Sequence, residues 1–139
     1  MTDTGVIVLD SSFLIAFHNE QDVHHDEAVR VMDRLLAGEW GTGLLLEYVA
    51  LEVITVLRLR TDLGTAVSVA DSLLRARELQ FVPCSAIFTA ALETLRVEQR
   101  SPLSLVDAAI VTVARRHPPG LVATFDADFR ALDRVTTVP

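Results

Sequence analysis

There is no lysine in this chain: all 12 of its Lys/Arg positions are arginine. That absence removes every mechanism that needs an ε-amino group, among them Schiff-base chemistry, the P-loop lysine, and the lysine of phosphoaspartyl enzymes and receivers. Cysteine is scarce too. Cys84, the only one, cannot form an internal disulfide, which fits a reducing cytoplasm; its setting in Phe81-Val82-Pro83-Cys84 reads as a strand end with no catalytic part. No apolar run approaches the ~20 residues that span a bilayer, and Met1-Thr2-Asp3-Thr4 lacks the positive flank of a signal peptide. A soluble, cytoplasmic protein with no membrane partner is expected. Excess positive charge is also missing, since the formal net charge is −7. Bulk electrostatics therefore cannot hold nucleic acid. A local basic rim and a metal ion still can, because phosphate contact depends on where the charges lie.

What is present is apolar. Half of the 139 residues are hydrophobic, enough for one domain over residues 1–139 with a substantial core, and no linker, repeat or low-complexity segment divides them. The stretch Val6-Ile7-Val8-Leu9-Asp10-Ser11-Ser12 is a short unalternating apolar run that ends in an acid and two hydroxyls. Such a run suits a strand covered on both faces, as in a parallel α/β sheet, where ligands gather beyond the carboxyl ends of the strands. From this stretch alone, Asp10 is either a site acid or a cap for the helix that follows, with the serines as rival caps.

The chain then alternates helix and strand. A helix from Ser12 to about His18 leads through a polar turn to a second helix, capped by Asp22, with Ala28, Val29, Met32, Leu35 and Leu36 inward and Gly38 ending it. His24 and His25 at its start point about 100° apart, so a shared metal is awkward and a polar first turn is the better reading. A strand at Gly41–Leu46 precedes an apolar helix over Glu47–Arg60 that carries Glu52 in its middle. An unpaired buried charge there is costly, so Glu52 must face either solvent or a cation. Glu47 sits about 140° around the same helix and cannot share that ion; its place in the first turn suits the helix dipole. Thr65 is expected to cap a helix over Ala66–Glu78, before a strand at Gln80–Val82 and a helix at Ser85–Gln99. Ser104 and Asp107 have capping-box spacing before the apolar helix that runs to Arg116. Capping alone could explain Asp107, yet so apolar a helix must be buried, which puts its amino end near the core. After Pro118-Pro119-Gly120, a fourth strand, Leu121–Phe125, runs into Asp126-Ala127-Asp128, repeating the strand-then-acid ending of the first. A last strand covers Val135–Val138.

Asp10, Glu52, Asp107 and Asp126 are thus four acids on apolar segments. Crowded carboxylates repel and raise one another's pKa unless a cation neutralises them. Oxygen ligands without Cys or His suit Mg²⁺ or Mn²⁺, and those ions point to phosphodiester chemistry. At this point the sequence resembles the PIN-domain ribonucleases, and among them the VapC-type toxins of toxin–antitoxin pairs. The resemblance runs through Val6-Ile7-Val8-Leu9-Asp10-Ser11-Ser12, Tyr48-Val49-Ala50-Leu51-Glu52-Val53, Leu103-Ser104-Leu105-Val106-Asp107-Ala108 and Ala123-Thr124-Phe125-Asp126-Ala127-Asp128-Phe129. It implies a three-layer α/β/α sandwich on a mostly parallel sheet of 4–5 strands, Mg²⁺- or Mn²⁺-dependent cleavage of an RNA substrate, a homodimer, and inhibition by a cognate antitoxin. It also implies Asp10, Glu52, Asp107 and Asp126 as the acidic quartet, with Asp128 as a further metal ligand or outer acid. Ser12 and Thr124 match hydroxyl positions that would bind a metal water or a phosphate oxygen, leaving Ser11 as the local cap. Glu47 departs from the family pattern, where a small polar residue is commoner, and an extra acid near the mouth would repel RNA. The acidic net charge suits a basic antitoxin segment that sets an arginine among the carboxylates.

Competing chemistries fail on single residues. A phosphoaspartyl phosphatase wants a second Asp where Ser12 stands, and an Asp-x-Ser-x-Ser adhesion site would need a hydroxyl at Leu14. The alternative that survives is a PIN-like module that binds or regulates RNA with little cleavage.

Overall fold

Strands without polar alternation need cover on both faces, and the computed structural model, which describes residues 5–139, provides it. Met1-Thr2-Asp3-Thr4 lies outside the described residues. The elements are β1 (Val6–Leu9), α1 (Ser11–His18), α2 (His25–Leu36), β2 (Thr42–Leu46), α3 (Glu47–Arg60), α4 (Leu63–Arg75), β3 (Leu79–Val82), α5 (Phe88–Val97), α6 (Leu105–Arg115), β4 (Leu121–Ala123) and β5 (Thr136–Val138). All strand pairs are parallel, and the sheet order is β3-β2-β1-β4-β5. Helix α1 packs on α2 and α3, α3 on α4, and α5 on α6, which in turn lies on β1 and β4. Right-handed crossovers send the two helix groups to opposite faces and give a three-layer α/β/α sandwich. Ile7, Val8, Leu9, Phe13 and Leu14 are fully buried at its centre, each worth about 1.5–3 kcal/mol relative to exposure.

The order carries a functional consequence. From β1 the chain steps outward to β2 and β3, then returns across the sheet to β4 on the other side of β1. The crossovers on either side of the β1/β4 pair therefore leave in opposite directions, and a crevice opens beyond the carboxyl ends of these two strands. Asp10 follows β1 and Thr124-Phe125-Asp126 follows β4.

Several local expectations need correction. Asp62 caps α4, its side chain accepting the Thr65 N–H at 2.7 Å; Asp-x-x-Thr spacing lets the earlier acid take the role assigned to Thr65. Asp22 does not cap α2 but makes a tight turn onto the His24 N–H at 2.9 Å, and the helix begins at His25. The inward stripe of α2 is Ala28, Val31, Met32 and Leu35, with Leu36 exposed. Neither serine caps α1: the cap position is Asp10, whose side chain makes no capping bond. The 85–99 segment is a 3-10 turn, Ser85–Ile87, followed by α5. Among the described residues no helix is long and apolar enough to cross a membrane.

Gly120 leads into β4 at φ +78°, where a Cβ would meet the Arg134 carbonyl oxygen at 2.2 Å. Gly120→Ala is expected to cost about 2–4 kcal/mol, from left-handed strain plus separation of the β4 entry from the β5 entry. Urea denaturation checks this; an unchanged midpoint would contradict it.

Candidate active site

Asp10 and Thr124 are the buried polar side chains among the described residues, only 4% and 2% exposed. Burial of a carboxylate demands partners, and the sequence supplies two hydroxyls. Ser12 Oγ and Thr124 Oγ1 each donate to the same Asp10 oxygen, Oδ2, at 2.7 Å. Both hydroxyls in turn accept backbone N–H groups from the loop after β4, Ser12 from Phe125 at 3.0 Å and Thr124 from Asp126 at 2.9 Å. The Asp10 N–H donates to the Ala123 carbonyl at 3.0 Å, extending the β1/β4 ladder by one step. The two hydroxyl oxygens also lie 3.2 Å from each other, so Ser12, Thr124 and Asp10 form one hydrogen-bonded cluster that orients the acid.

Asp107 has two roles at once. Its Oδ2 accepts the Ser104 N–H, and its own N–H donates to Ser104 Oγ, both at 3.1 Å, completing a reciprocal capping box. The same side chain borders a cleft of about 430 Å³ that is also lined by Asp10, Ser12, Glu52 and Asp126. Capping and cleft acid are compatible, because the amino end of buried α6 is aimed at the crevice. Glu52 reaches the cleft from α3 and is exposed, without a hydrogen bond or ion pair among the described residues. Asp126 is half-buried and accepts the Asp128 N–H at 2.9 Å. Asp128, in the 3-10 turn Ala127–Phe129, is exposed and borders another cavity with Val97–Pro102 and Leu132. Glu47 is turned away from the cleft, its Oε1 accepting the Cys84 N–H at 2.9 Å, so the expected repulsion at the mouth does not arise.

The acids sense one another. Burial pushes the Asp10 pKa up, with the Asp107 charge adding to it, against the lowering pull of the Thr124 and Ser12 hydroxyls. Burial also raises Asp107, opposed by its bonds to Ser104 and reinforced by Asp126 and Glu52. Among the described residues no three His, Cys, Asp or Glu side chains stand in ready ligating positions. The donor set nevertheless fits a hard divalent cation, because the groups converging on the crevice are carboxylates.

Three further ionisable side chains line the cleft: Asp22, His24 and Arg60. Arg60 had a readable signal, since Glu52, Val56 and Arg60 at four-residue spacing share one helix face. His24 did not, because its place depends on stacking against Phe125, far away in sequence, with ring centroids 4.5 Å apart.

A family model described as the PIN domain matches residues 7–135. No curated protein matches the sequence. Among solved structures, the chain is similar to Mycobacterium tuberculosis VapC20, described as a sarcin–ricin loop cleaving toxin, at 25% identity. That match covers 90% of this chain and 93% of the other with a TM-score of 0.78. It also shares its fold with VapBC2 from Rickettsia felis, solved bound to a promoter DNA fragment, at 16% identity. There the coverage is 96% of this chain and 97% of that one, with a TM-score of 0.72.

Asp10 and Asp107 hold a proton more tightly in the folded chain than in the unfolded one. Their contribution to stability is therefore full below the ordinary aspartate pKa and is lost as pH rises through the raised folded values. In EDTA, Asp10→Asn is expected to melt above the wild type at pH 8, with the gap closing toward pH 4, because the amide cannot ionise and its oxygen still accepts both hydroxyls. Thermal melts followed by circular dichroism measure this. A variant that melts lower by the same margin at both pH values would refute it.

Proposed function

The chain belongs to the PIN-domain family, and on that premise we propose that it is a Mg²⁺- or Mn²⁺-dependent endoribonuclease acting as the toxin of a toxin–antitoxin pair in the cytoplasm. The observation that carries this reading is the buried Asp10 carboxylate, held by two hydroxyls at the β1/β4 crevice and sharing its cleft with Asp107, Asp126 and Glu52. Its likeness to a sarcin–ricin loop cleaving toxin at 25% identity supports RNA as the substrate.

In this reading Asp10, Asp107 and Asp126 hold the ion, and Asp128, on its separate cavity, takes no direct part. When bound, the ion supplies countercharge for the scissile phosphate and a more acidic water. The chain's own residues do the rest. Ser12 and Thr124 fix the direction of the Asp10 carboxylate, and the Ser104 N–H fixes that of Asp107. Glu52, exposed in the cleft lining and unpaired among the described residues, would accept the proton of the attacking water. Arg60, two helical turns along from it, is the cleft's arginine and meets the phosphate backbone. Exposed apolar residues Leu63, Val67 and Leu74 on α4, with Phe81 on edge strand β3, form a face of the kind that a homodimer partner or a cognate antitoxin covers.

Replacing Asp10 or Asp107 with Asn is expected to lower Mg²⁺-dependent RNA cleavage at least ~100-fold while leaving the circular dichroism spectrum unchanged. Thr124→Val, which frees the Asp10 carboxylate to turn, is expected to cost ~10–100-fold. Undiminished cleavage by both Asn variants would sink the assignment. Cation binding has its own readout: Mg²⁺ at about a hundred times its Kd adds about 2.7 kcal/mol to the wild type and much less to Asp10→Asn. An RNA that is bound tightly and never cut would instead favour the binding-module reading.

A further inference from the structure

The mouth of the cleft carries a feature that chemistry at the carboxylates does not use. The His24 imidazole lies flat on the Phe125 ring, with centroids 4.5 Å apart and planes 5° from parallel. Phe125 packs against the core, and its N–H donates to Ser12 Oγ at 3.0 Å, so the supporting ring is tied to the network that orients Asp10. The backbone at His24 is held from both directions. Its N–H donates to Asp22 Oδ1 at 2.9 Å, and its carbonyl accepts the Ala28 N–H at 2.9 Å. The next residue, His25, places Nδ1 2.8 Å from the Ala16 carbonyl oxygen.

His24 is exposed and borders the cleft. One face of its ring rests on Phe125, so the other is turned outward. A flat ring that is already immobilised loses little entropy when a second flat ring stacks on it. The cleft itself has few other means of gripping RNA. Its net charge is −7, and the cleft lining includes a single arginine, Arg60, which has no ion pair among the described residues. Within the cleft one arginine offers little counterion release, and base stacking can supply what it does not.

We propose that His24, backed by Phe125, is the platform on which an unpaired base of the RNA beside the scissile phosphate stacks. The inference rests on the ribonuclease reading and adds a base-binding residue to it. Bases in a duplex are already stacked and closed to such a ring, so the platform selects single-stranded or loop RNA. Every base has a π-face, so it selects weakly among base identities.

The test uses the full chain with Mg²⁺ and a fluorescein-labelled, mixed-sequence single-stranded RNA 12-mer. Wild type, His24→Ala and His24→Phe are compared, with circular dichroism melts to verify folding. His24→Ala is expected to raise KM about ten-fold with kcat little changed, and His24→Phe, which keeps a ring and removes the nitrogens, is expected to restore the wild-type KM. An unchanged KM in His24→Ala overturns the proposal. So does a His24→Phe variant as impaired as His24→Ala, since the nitrogens and not the ring would then matter. If the wild type leaves the RNA intact, the ribonuclease reading falls, and fluorescence anisotropy with the same 12-mer decides the platform alone. Weaker binding by His24→Ala than by wild type and His24→Phe upholds it; equal binding by all three, or none by any, overturns it.

Discussion

Two hydroxyl protons directed at one carboxylate oxygen are the contact on which the crevice depends. Asp10 Oδ2 receives Ser12 from the start of α1 and Thr124 from the end of β4, while those hydroxyls accept N–H groups from the loop that leads to Asp126. A buried carboxylate without them would face its desolvation penalty unaided. With them it becomes a junction between elements more than a hundred residues apart in sequence, and the acid that needs support also sets the geometry of the loop supporting it. A tension remains, because burial and the neighbouring Asp107 still push the Asp10 pKa upward. A divalent cation bound in the crevice would relieve residual strain of this electrostatic kind.

The sheet order explains why this junction forms where it does. With β1 flanked by β2 and β4, the crossovers diverge beyond the carboxyl ends of β1 and β4. Helix α6 then brings its amino end to the same place, and its capping box holds Asp107 by one oxygen. Helix α3 supplies Glu52 and Arg60 from the facing wall. Secondary-structure requirements and site requirements are met by the same side chains, so neither is separable from the other by simple truncation.

Much of this was legible before any coordinates. The unalternating run Val6–Leu9 announced a doubly covered strand, and its repetition at Leu121–Phe125 announced a second strand ending in an acid. Ser104 and Asp107 were readable as a capping box because that motif is local. Glu52 stood out as a charge in an apolar helix, although its answer is exposure at a cleft wall rather than burial. What stayed hidden depends on distant neighbours or on a choice between adjacent residues. Asp62 and Thr65 both suit a cap, and only the bond to the Thr65 N–H distinguishes them. Asp126 ranks ahead of Asp128 in the sequence, and the two acids border different cavities in the fold. His24 looked like one of two histidines in a polar turn, because its stacking partner lies at the far end of the chain.

The carboxylates at the β1/β4 crevice are proposed to form one divalent-cation site organised on Asp10. Anomalous diffraction from crystals soaked in Mn²⁺ tests it most directly. A strong anomalous peak ligated by Asp10 together with Asp107 or Asp126 is expected, lost in crystals of Asp10→Asn. A wild-type crystal at saturating Mn²⁺ with no peak in the crevice, or with its peak elsewhere on the molecule, would contradict it.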